Sequence, residues 1–303
     1  MKKVFFAAMA LMVVSCSTPI DEVGVTSDVH PIFHATLESS DDSKTFLDEN
    51  IRLRWTADDR ITLFEGTTRN KQYKFMGETG DNAGDFEYVK AGFGTGNAID
   101  RYYALYPYAS STKLHEDGYI TYTFPTTQTY VKGSVGLGAN AMVAVTADLD
   151  DYDLAFRNVG SFLLVKLYGT DQTVSSIKLT TIGGEPIAGK AYITPSFQGD
   201  PTTQMIDSTS SVTLNCSNTV FIGTTKESAT AFWIVVPPFT ASEGISVTVN
   251  GFYGGSQTYE VAGPITFNRN KYKSLARELT ISNNGSGFGV GGWGDGENIE
   301  GEI

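Results

Sequence analysis

Basic residues and long apolar runs are both scarce in this sequence. Lysine and arginine together number 22 against 34 acidic residues, which gives a net charge of -12. Nucleic-acid binding needs a basic surface that displaces phosphate counterions, so we exclude that class. The apolar run from Val4 to Val14 is well short of the roughly 20 residues that a membrane-spanning helix needs. Helical periodicity is nearly absent as well.

The short apolar run belongs to an export signal. Lys2 and Lys3 precede it and Ser15-Cys16 follow it, which is the three-part layout of a secretory signal peptide. Val13-Val14-Ser15-Cys16 resembles the lipobox of bacterial lipoproteins, in which cleavage falls before the cysteine and that cysteine receives the lipids. We therefore predict a signal peptide over residues 1–15 and lipidation of Cys16; the alternative is an ordinary signal peptide that contains a cysteine.

Residues 16–29 are polar and acidic and predict a tether behind the lipid. The pair Asp21-Glu22 is similar to the signal that sends some Gram-negative lipoproteins to the outer face of the outer membrane, or it is part of a solvated linker. With Cys16 lipidated, Cys216 is the one remaining cysteine and makes no internal disulfide. Its alternating surroundings predict a small buried strand residue and not a nucleophile.

The rest of the chain reads as an all-β fold. Alternation such as that of Ile51-Arg-Leu-Arg-Trp55 recurs at short spacing, with Gly, Asn and Asp at the breaks, as in β-sandwiches. Four acids in Asp148–Asp153 cannot sit in a core and mark the best candidate for a boundary. We predict β-sandwiches over residues 30–150 and 151–281, followed by a glycine-rich tail over residues 282–303.

One strand differs from the alternating ones. Thr230-Ala-Phe-Trp-Ile-Val-Val236 is continuously apolar, and Pro237-Pro238 follows it. A strand with both faces covered by other layers has this composition. We therefore predict a central strand that ends at the prolines.

Residues for chemistry are few. Of the three histidines, His30 and His34 have a spacing that would align metal ligands on a helix, but Pro31 and the strand pattern rule out that helix. We predict that His115, which stands in a turn, is a surface residue. Asp148–Asp153 has carboxylates for calcium without the spacing of an EF-hand loop, so calcium stays open. Calcium at Asp148–Asp153 aside, we predict no catalytic residue, no metal site and no cofactor, and hence no enzyme.

Several segments, taken in order with the lipobox, resemble the fimbrillin-like lipoproteins, which are subunits of type V pili. They are Phe33-His-Ala, Lys44-Thr-Phe-Leu-Asp, Leu53-Arg-Trp-Thr-Ala-Asp-Asp-Arg-Ile-Thr-Leu-Phe64, Tyr102-Tyr-Ala-Leu-Tyr-Pro-Tyr108, Phe124-Pro-Thr-Thr-Gln128, Phe156-Arg-Asn-Val-Gly160, Ala188-Gly189 and Asn270-Lys-Tyr-Lys273. The resemblance spans nearly the whole chain.

The resemblance implies two transthyretin-like β-sandwich domains in a lipoprotein exported to the outer membrane. In polymerising members a trypsin-like protease removes the N-terminal strand after a basic residue, and a strand of another subunit fills the groove by strand addition. Carried over, the basic residue is Lys44. The removable strand is Ile32, Phe33, His34, Ala35, Thr36 and Leu37, and the donor strand lies around Phe288, Val290 and Trp293.

Two departures from the family pattern leave the subunit's position open. An arginine-specific protease would not cut after Lys44, and glycine makes a poor donor strand because it fills no pocket. We therefore expect a surface lipoprotein, lipid-anchored in the outer membrane and in a fimbrium if polymerised, that acts as stalk, anchor, tip or accessory subunit. Its partners would be other pilus subunits and surface ligands. The alternative is a glycan-binding surface lipoprotein that does not polymerise.

Overall fold

The computed structural model describes residues 30–38, 53–67, 69–91, 96–281, 288–290 and 300–302, and none of these is helical. In chain order the first strands are β1 (Phe33–Leu37), β2 (Arg60–Gly66), β3 (Arg69–Phe75), β4 (Ala83–Ala91), β5 (Tyr103–Tyr106), β6 (Ile120–Phe124), β7 (Thr127–Thr129), β8 (Met142–Val145), β9 (Asp153–Asn158), β10 (Ser161–Tyr168) and β11 (Thr173–Thr181). They continue with β12 (Ala188–Thr194), β13 (Thr202–Thr209), β14 (Ser211–Phe221), β15 (Thr230–Val236), β16 (Phe239–Ala241), β17 (Gly244–Asn250), β18 (Ser256–Ala262), β19 (Ile265–Phe267), β20 (Lys271–Glu278), β21 (Phe288–Val290) and β22 (Glu300–Glu302). The predicted all-β class is confirmed.

The N-terminal strands close into a barrel in the order β1-β4-β3-β2-β5-β8-β9. Alternation along each strand sends one set of side chains inward. Trp55 lies in this interior with its ring centroid 5.0 to 5.7 Å from those of Phe75, Phe86, Tyr106 and Phe156. Aromatic edges and faces at these distances pack favourably, so the barrel interior is a filled core.

The C-terminal strands form a two-layer sandwich. One sheet has the order β15-β10-β20-β22 and the other the order β21-β18-β17-β11-β14-β7. Their facing residues build one buried cluster, which includes Val165 and Phe232 from the first sheet and Ile177 and Val247 from the second. Cys216 of β14 belongs to this cluster, so the predicted buried strand residue is confirmed.

The continuously apolar strand β15 is buried on both faces. Trp233 and Val235 join the barrel core, whereas Phe232, Ile234 and Val236 join the sandwich core. The predicted central position is wrong, however, because β15 ends its sheet and pairs only with β10 among the described strands. Covered faces produce a continuous apolar run, and they do not require strands on both edges.

Strand pairing crosses residue 150, where the sequence predicts a boundary. β9 begins at Asp153 and closes the barrel, and β6 pairs with β12 in a sheet that also contains β13. That sheet packs on outward residues of the barrel, such as Phe64 and Leu105. The division into two sandwiches stays a prediction, and the barrel and the sandwich share the sheet that contains β10 and β15.

Candidate functional site

The strand predicted to be removable coincides with β1, which closes the barrel. β1 pairs antiparallel with β4, from Phe33 opposite Phe86 to Thr36 opposite Ala83. It pairs in parallel with β9, from His34 opposite Asp153 to Leu37 opposite Phe156. Both edges of β1 are thus occupied by strands from elsewhere in the chain, which is the arrangement of an inserted strand.

The side chains of β1 alternate as a half-buried strand requires. Phe33, Ala35 and Leu37 are buried, whereas His34 and Thr36 are exposed. The Phe33 ring packs edge-on against three tyrosines. Their ring centroids lie 5.4 Å from Phe33 for Tyr73, 5.0 Å for Tyr102 and 5.6 Å for Tyr152. Phe33 is therefore the anchor of β1, since it fills an aromatic pocket that the rest of the barrel provides. Ile32, the first residue of the predicted strand, precedes β1 and is exposed.

A carboxylate directly after β1 fixes the end of the strand. Glu38 accepts two hydrogen bonds from Arg269, Nη1 to Oε2 and Nη2 to Oε1, each at 2.7 Å. The backbone N–H of Asn158, the last residue of β9, donates to the same carboxylate at 3.0 Å. The Glu38 and Arg269 side chains are each 15% exposed, so this ion pair is largely removed from water.

Two further charges complete this cluster. Asp200 Oδ1 lies 2.6 Å from Arg269 Nη2 and 3.7 Å from Arg157 Nη1, and Arg157 Nη1 lies 3.8 Å from Glu38 Oε1. Burial acts to lower the pKa of Arg269, but its hydrogen bonds to Glu38 and the charges of Glu38 and Asp200 outweigh burial and raise that pKa. Arg269 therefore stays cationic, and its charge needs carboxylate partners.

Sequence reasoning missed Glu38 and Arg269. They are 231 positions apart, and neither stands in a pattern that marks it. A polar residue after a strand is common, so only the fold reveals the pair.

The other candidate residues lie away from β1 or outside the described residues. Cys16 and Lys44 are outside them, and so is Trp293. The backbone of Phe288–Val290 forms β21 and pairs in parallel with β18 of the sandwich, while β22 pairs with β20. The described part of the predicted donor segment, Phe288–Val290, thus pairs at the edge of one sandwich sheet.

The acidic segment Asp148–Asp153 organises its own turn. Asp148 Oδ1 accepts hydrogen bonds from the backbone N–H groups of Asp150 and Asp151, and Asp151 accepts from those of Ala147 and Asp153. Such Asx-type bonds stabilise a turn between strands. Among the described residues, no group of three or more His, Cys, Asp or Glu side chains is arranged to hold a metal ion.

A second polar feature is an open cavity of about 390 Å³ beside β5 and the loop before β6. The polar residues Asn97, Asp100, Tyr103, His115 and Glu116 line it together with Thr67, Ala98, Ile99, Leu114 and Gly118. The imidazole of His115 stacks on Tyr119 with centroids 4.2 Å apart, and the Tyr119 and Tyr192 centroids are also 4.2 Å apart. His115 therefore joins the hydrogen-bonding groups of the cavity to an aromatic surface.

Comparison with known proteins gives structural matches only. No family model and no curated protein matches the chain. In the part of the chain that the structure describes, no helix is long and apolar enough to cross a membrane.

Several of the solved structures that match are described as fimbrial or adhesion proteins. A candidate cell adhesion protein from Bacteroides ovatus is 13% identical, with a TM-score of 0.48, and the match covers 89% of this chain and 95% of that one. A candidate cell adhesion protein from Bacteroides uniformis is 17% identical, with a TM-score of 0.44 and coverages of 82% and 92%. The tip fimbrial protein Mfa3 from Porphyromonas gingivalis, truncated at its C-terminus, is 8% identical, with a TM-score of 0.39 and coverages of 90% and 100%.

Proposed function

We propose that this protein is a structural or adhesive fimbrial subunit of the cell surface, held in the outer membrane by lipids on Cys16. Subunits would join by strand addition: release of the segment ending at Lys44 removes β1, and an extended segment of another subunit takes its place. We assign the chain no catalytic role. This role covers the stalk, anchor, tip and accessory positions alike.

The observation that carries the proposal is the pairing of β1. A short strand that supplies three inward side chains and pairs on both edges leaves a groove of matching shape when it departs. The exposed backbone groups of β4 and β9 would then pair with an incoming strand, and the vacated pockets would select its side chains. The lipobox at Cys16 and the ordered family motifs support export and the subunit role.

The direct test is mass spectrometry of the protein taken from the surface of cells that produce it. Polymerisation predicts loss of residues 16–44 and SDS-resistant ladders of the subunit. An intact lipidated Cys16 in monomers would instead leave an anchored module that does not polymerise.

Two variants separate the anchor from the cleavage. Cys16→Ser should abolish incorporation of a fatty-acid label while leaving the β fold intact. Lys44→Ala should retain the label and block both the cleavage and the ladders. Ladders that persist unchanged in Lys44→Ala would contradict cleavage at this residue.

The cavity beside β5 favours a second candidate, glycan binding. Carboxylates, an amide and a tyrosine hydroxyl next to stacked aromatic rings are the groups that bind sugar hydroxyls and sugar faces. A glycan array read with the wild type and with Asn97→Ala tests this function. A hit that Asn97→Ala weakens supports it, and an array with no binder contradicts it.

A further inference from the structure

The site that receives Glu38 is built from parts of the chain other than β1. The Arg269 guanidinium and the Asn158 N–H supply three donors within 3.0 Å of one carboxylate. Two parallel N–H to oxygen bonds from a guanidinium recognise a carboxylate geometrically as well as by charge. The donors come from the end of β9 and from the turn before β20.

Contacts that do not involve β1 hold this site in place. The Arg269 Nη1 donates to the carbonyl oxygen of Asn158 at 2.8 Å. The next residue, Asn270, has φ +58 and donates its N–H to the Gly160 carbonyl at 2.9 Å. The Asn158 side chain in turn donates to Asn270 Oδ1 at 3.2 Å. The guanidinium thus stays aimed at the end of the groove when β1 departs.

Departure of β1 leaves two cations without their shared carboxylate. Arg269 and Arg157 would then have Asp200, whose side chain is 66% exposed, as their common acid in this cluster. Loss of one carboxylate partner from a largely buried cation strongly destabilises the folded chain. The vacated site therefore favours an incoming strand that restores a carboxylate.

We propose that Arg269, supported by Arg157, is a carboxylate-recognition site at the end of the β1 groove, and that a segment replacing β1 must carry Asp or Glu in the place of Glu38. The proposal rests on the proposed function, because it concerns the strand that replaces β1. The partner is an extended segment in which three apolar residues alternate and an acid follows the last of them directly. Because a shift by one residue moves the whole apolar set to the wrong face, the acid also fixes the register.

The chain's own C-terminal residues do not fit this pattern. With Asp295 in the place of Glu38, the three pockets receive Val290, Gly292 and Gly294. With Glu297 in that place, the pockets receive three glycines. With Glu300 they receive Asp295, Glu297 and Ile299, and with Glu302 they receive Glu297, Ile299 and Gly301. We therefore identify the partner as a segment of another subunit that lies outside residues 288–303 of this sequence.

A nicked form of the full chain tests the proposal. A protease site placed within residues 39–52 allows the backbone to be cut while β1 stays bound. Labelled peptide of residues 30–38 is then exchanged into the groove, and unlabelled peptides compete with it. The competitors are the native sequence, its Glu38→Gln form and, as a matched control at an exposed position, its Thr36→Gln form.

We expect the Glu38→Gln peptide to compete about 10- to 100-fold more weakly than the native peptide, since bonds to a charged group are the stronger kind. The Thr36→Gln peptide should compete as the native one does. A nicked chain carrying Arg269→Gln should no longer distinguish the Glu and Gln peptides. Equal competition by those two peptides on the wild-type chain would overturn the proposal.

A second measurement tests the site without peptide exchange: the urea concentration at which the nicked N-terminal fragment is released. It should fall for Glu38→Gln and not for Thr36→Gln, and an unchanged value for Glu38→Gln also overturns the recognition site. If no peptide exchanges without urea, that result contradicts strand replacement, and hence the proposed function. The urea comparison still decides whether Arg269 recognises the carboxylate.

Discussion

Strands β1 and β15 both belong to the core that fills the barrel, but they are held there in different ways. β1 has strands on both edges and one exposed face, which carries His34 and Thr36. Among the described strands β15 pairs with β10 alone, and both of its faces are buried. A strand held by hydrogen bonds at its edges tolerates many side chains on its exposed face. A strand held by burial of both faces restricts the size and polarity of its side chains on both sides.

One residue at the free edge of β15, Val235, has its backbone groups satisfied by a side chain. Gln128 accepts a hydrogen bond from the Val235 N–H at 2.9 Å and donates to the Val235 carbonyl at 2.6 Å. The amide thus stands in for one residue of a neighbouring strand. The comparison teaches that β1, with one exposed face, restricts fewer of its side chains than β15, which is built into two cores at once.

The largest effect should come from placing a charge in β15. Ile234→Asp would bury an unpaired carboxylate in the sandwich core and should cost on the order of 5 kcal/mol, enough to prevent folding. Thr36→Asp on the exposed face of β1 should change stability little. Soluble yield and circular dichroism measure both, and a folded Ile234→Asp chain of normal yield would contradict the two-sided burial.

The next largest effect should come from the anchor of β1. Phe33→Ala would leave a cavity among Tyr73, Tyr102 and Tyr152, at a cost of about 3 to 4 kcal/mol in the free energy of unfolding. Urea unfolding measures it, with Ile32→Ala as the matched exposed control. If both variants lose the same small amount, the Phe33 pocket does not hold β1.

Removing the amide that caps β15 should have an intermediate effect. Gln128→Ala leaves a buried N–H and a buried carbonyl of Val235 without this partner, which should cost about 2 to 3 kcal/mol. Gln204→Ala, at an exposed position of β13, is the control. A Gln128→Ala midpoint in urea that matches the control would mean that water or another group replaces the amide.

A smaller effect should appear with pH at Cys216 in the sandwich core. Burial raises the pKa of this thiol from 9.0 to about 11. The folded state therefore holds the thiol proton more tightly than the unfolded state does. The contribution of the protonated thiol to stability is complete below pH 9 and is lost as pH rises toward 11. The free energy of unfolding of the wild type, minus that of Cys216→Ala, should fall by about 1 to 2 kcal/mol over that window. Urea unfolding measures both values. A difference that stays constant with pH would contradict the shift.

The smallest effect should come from the exposed face of β1. His34 Nδ1 lies 2.9 Å from Asp85 Oδ1, and the two side chains are 50% and 58% exposed. Solvent screens such a pair, so Asp85→Asn should change the free energy of unfolding by less than about 0.5 kcal/mol. A loss above 1 kcal/mol would show that the outer face also fixes β1.

Local patterns predicted much of this fold. The resemblance to fimbrillin-like lipoproteins placed a strand at Ile32 to Leu37, within one residue of β1. Alternation, which follows from the period of two of a strand, found Cys216 in a buried strand. Composition gave β15 the right burial and the wrong place, because an apolar run reports what covers the faces and says nothing about hydrogen bonds at the edges.

The sequence by itself determined the all-β class, the alternating residues of β1 and the acidic character of the chain, because each depends on neighbours in the chain or on composition alone. Only the tertiary structure decided that β9 lies beside β1, that Gln128 caps β15 and that Arg269 receives Glu38. Those contacts join residues more than a hundred positions apart. No local period encodes them, because they arise only when separate sheets pack and bring distant polar groups to a shared buried place.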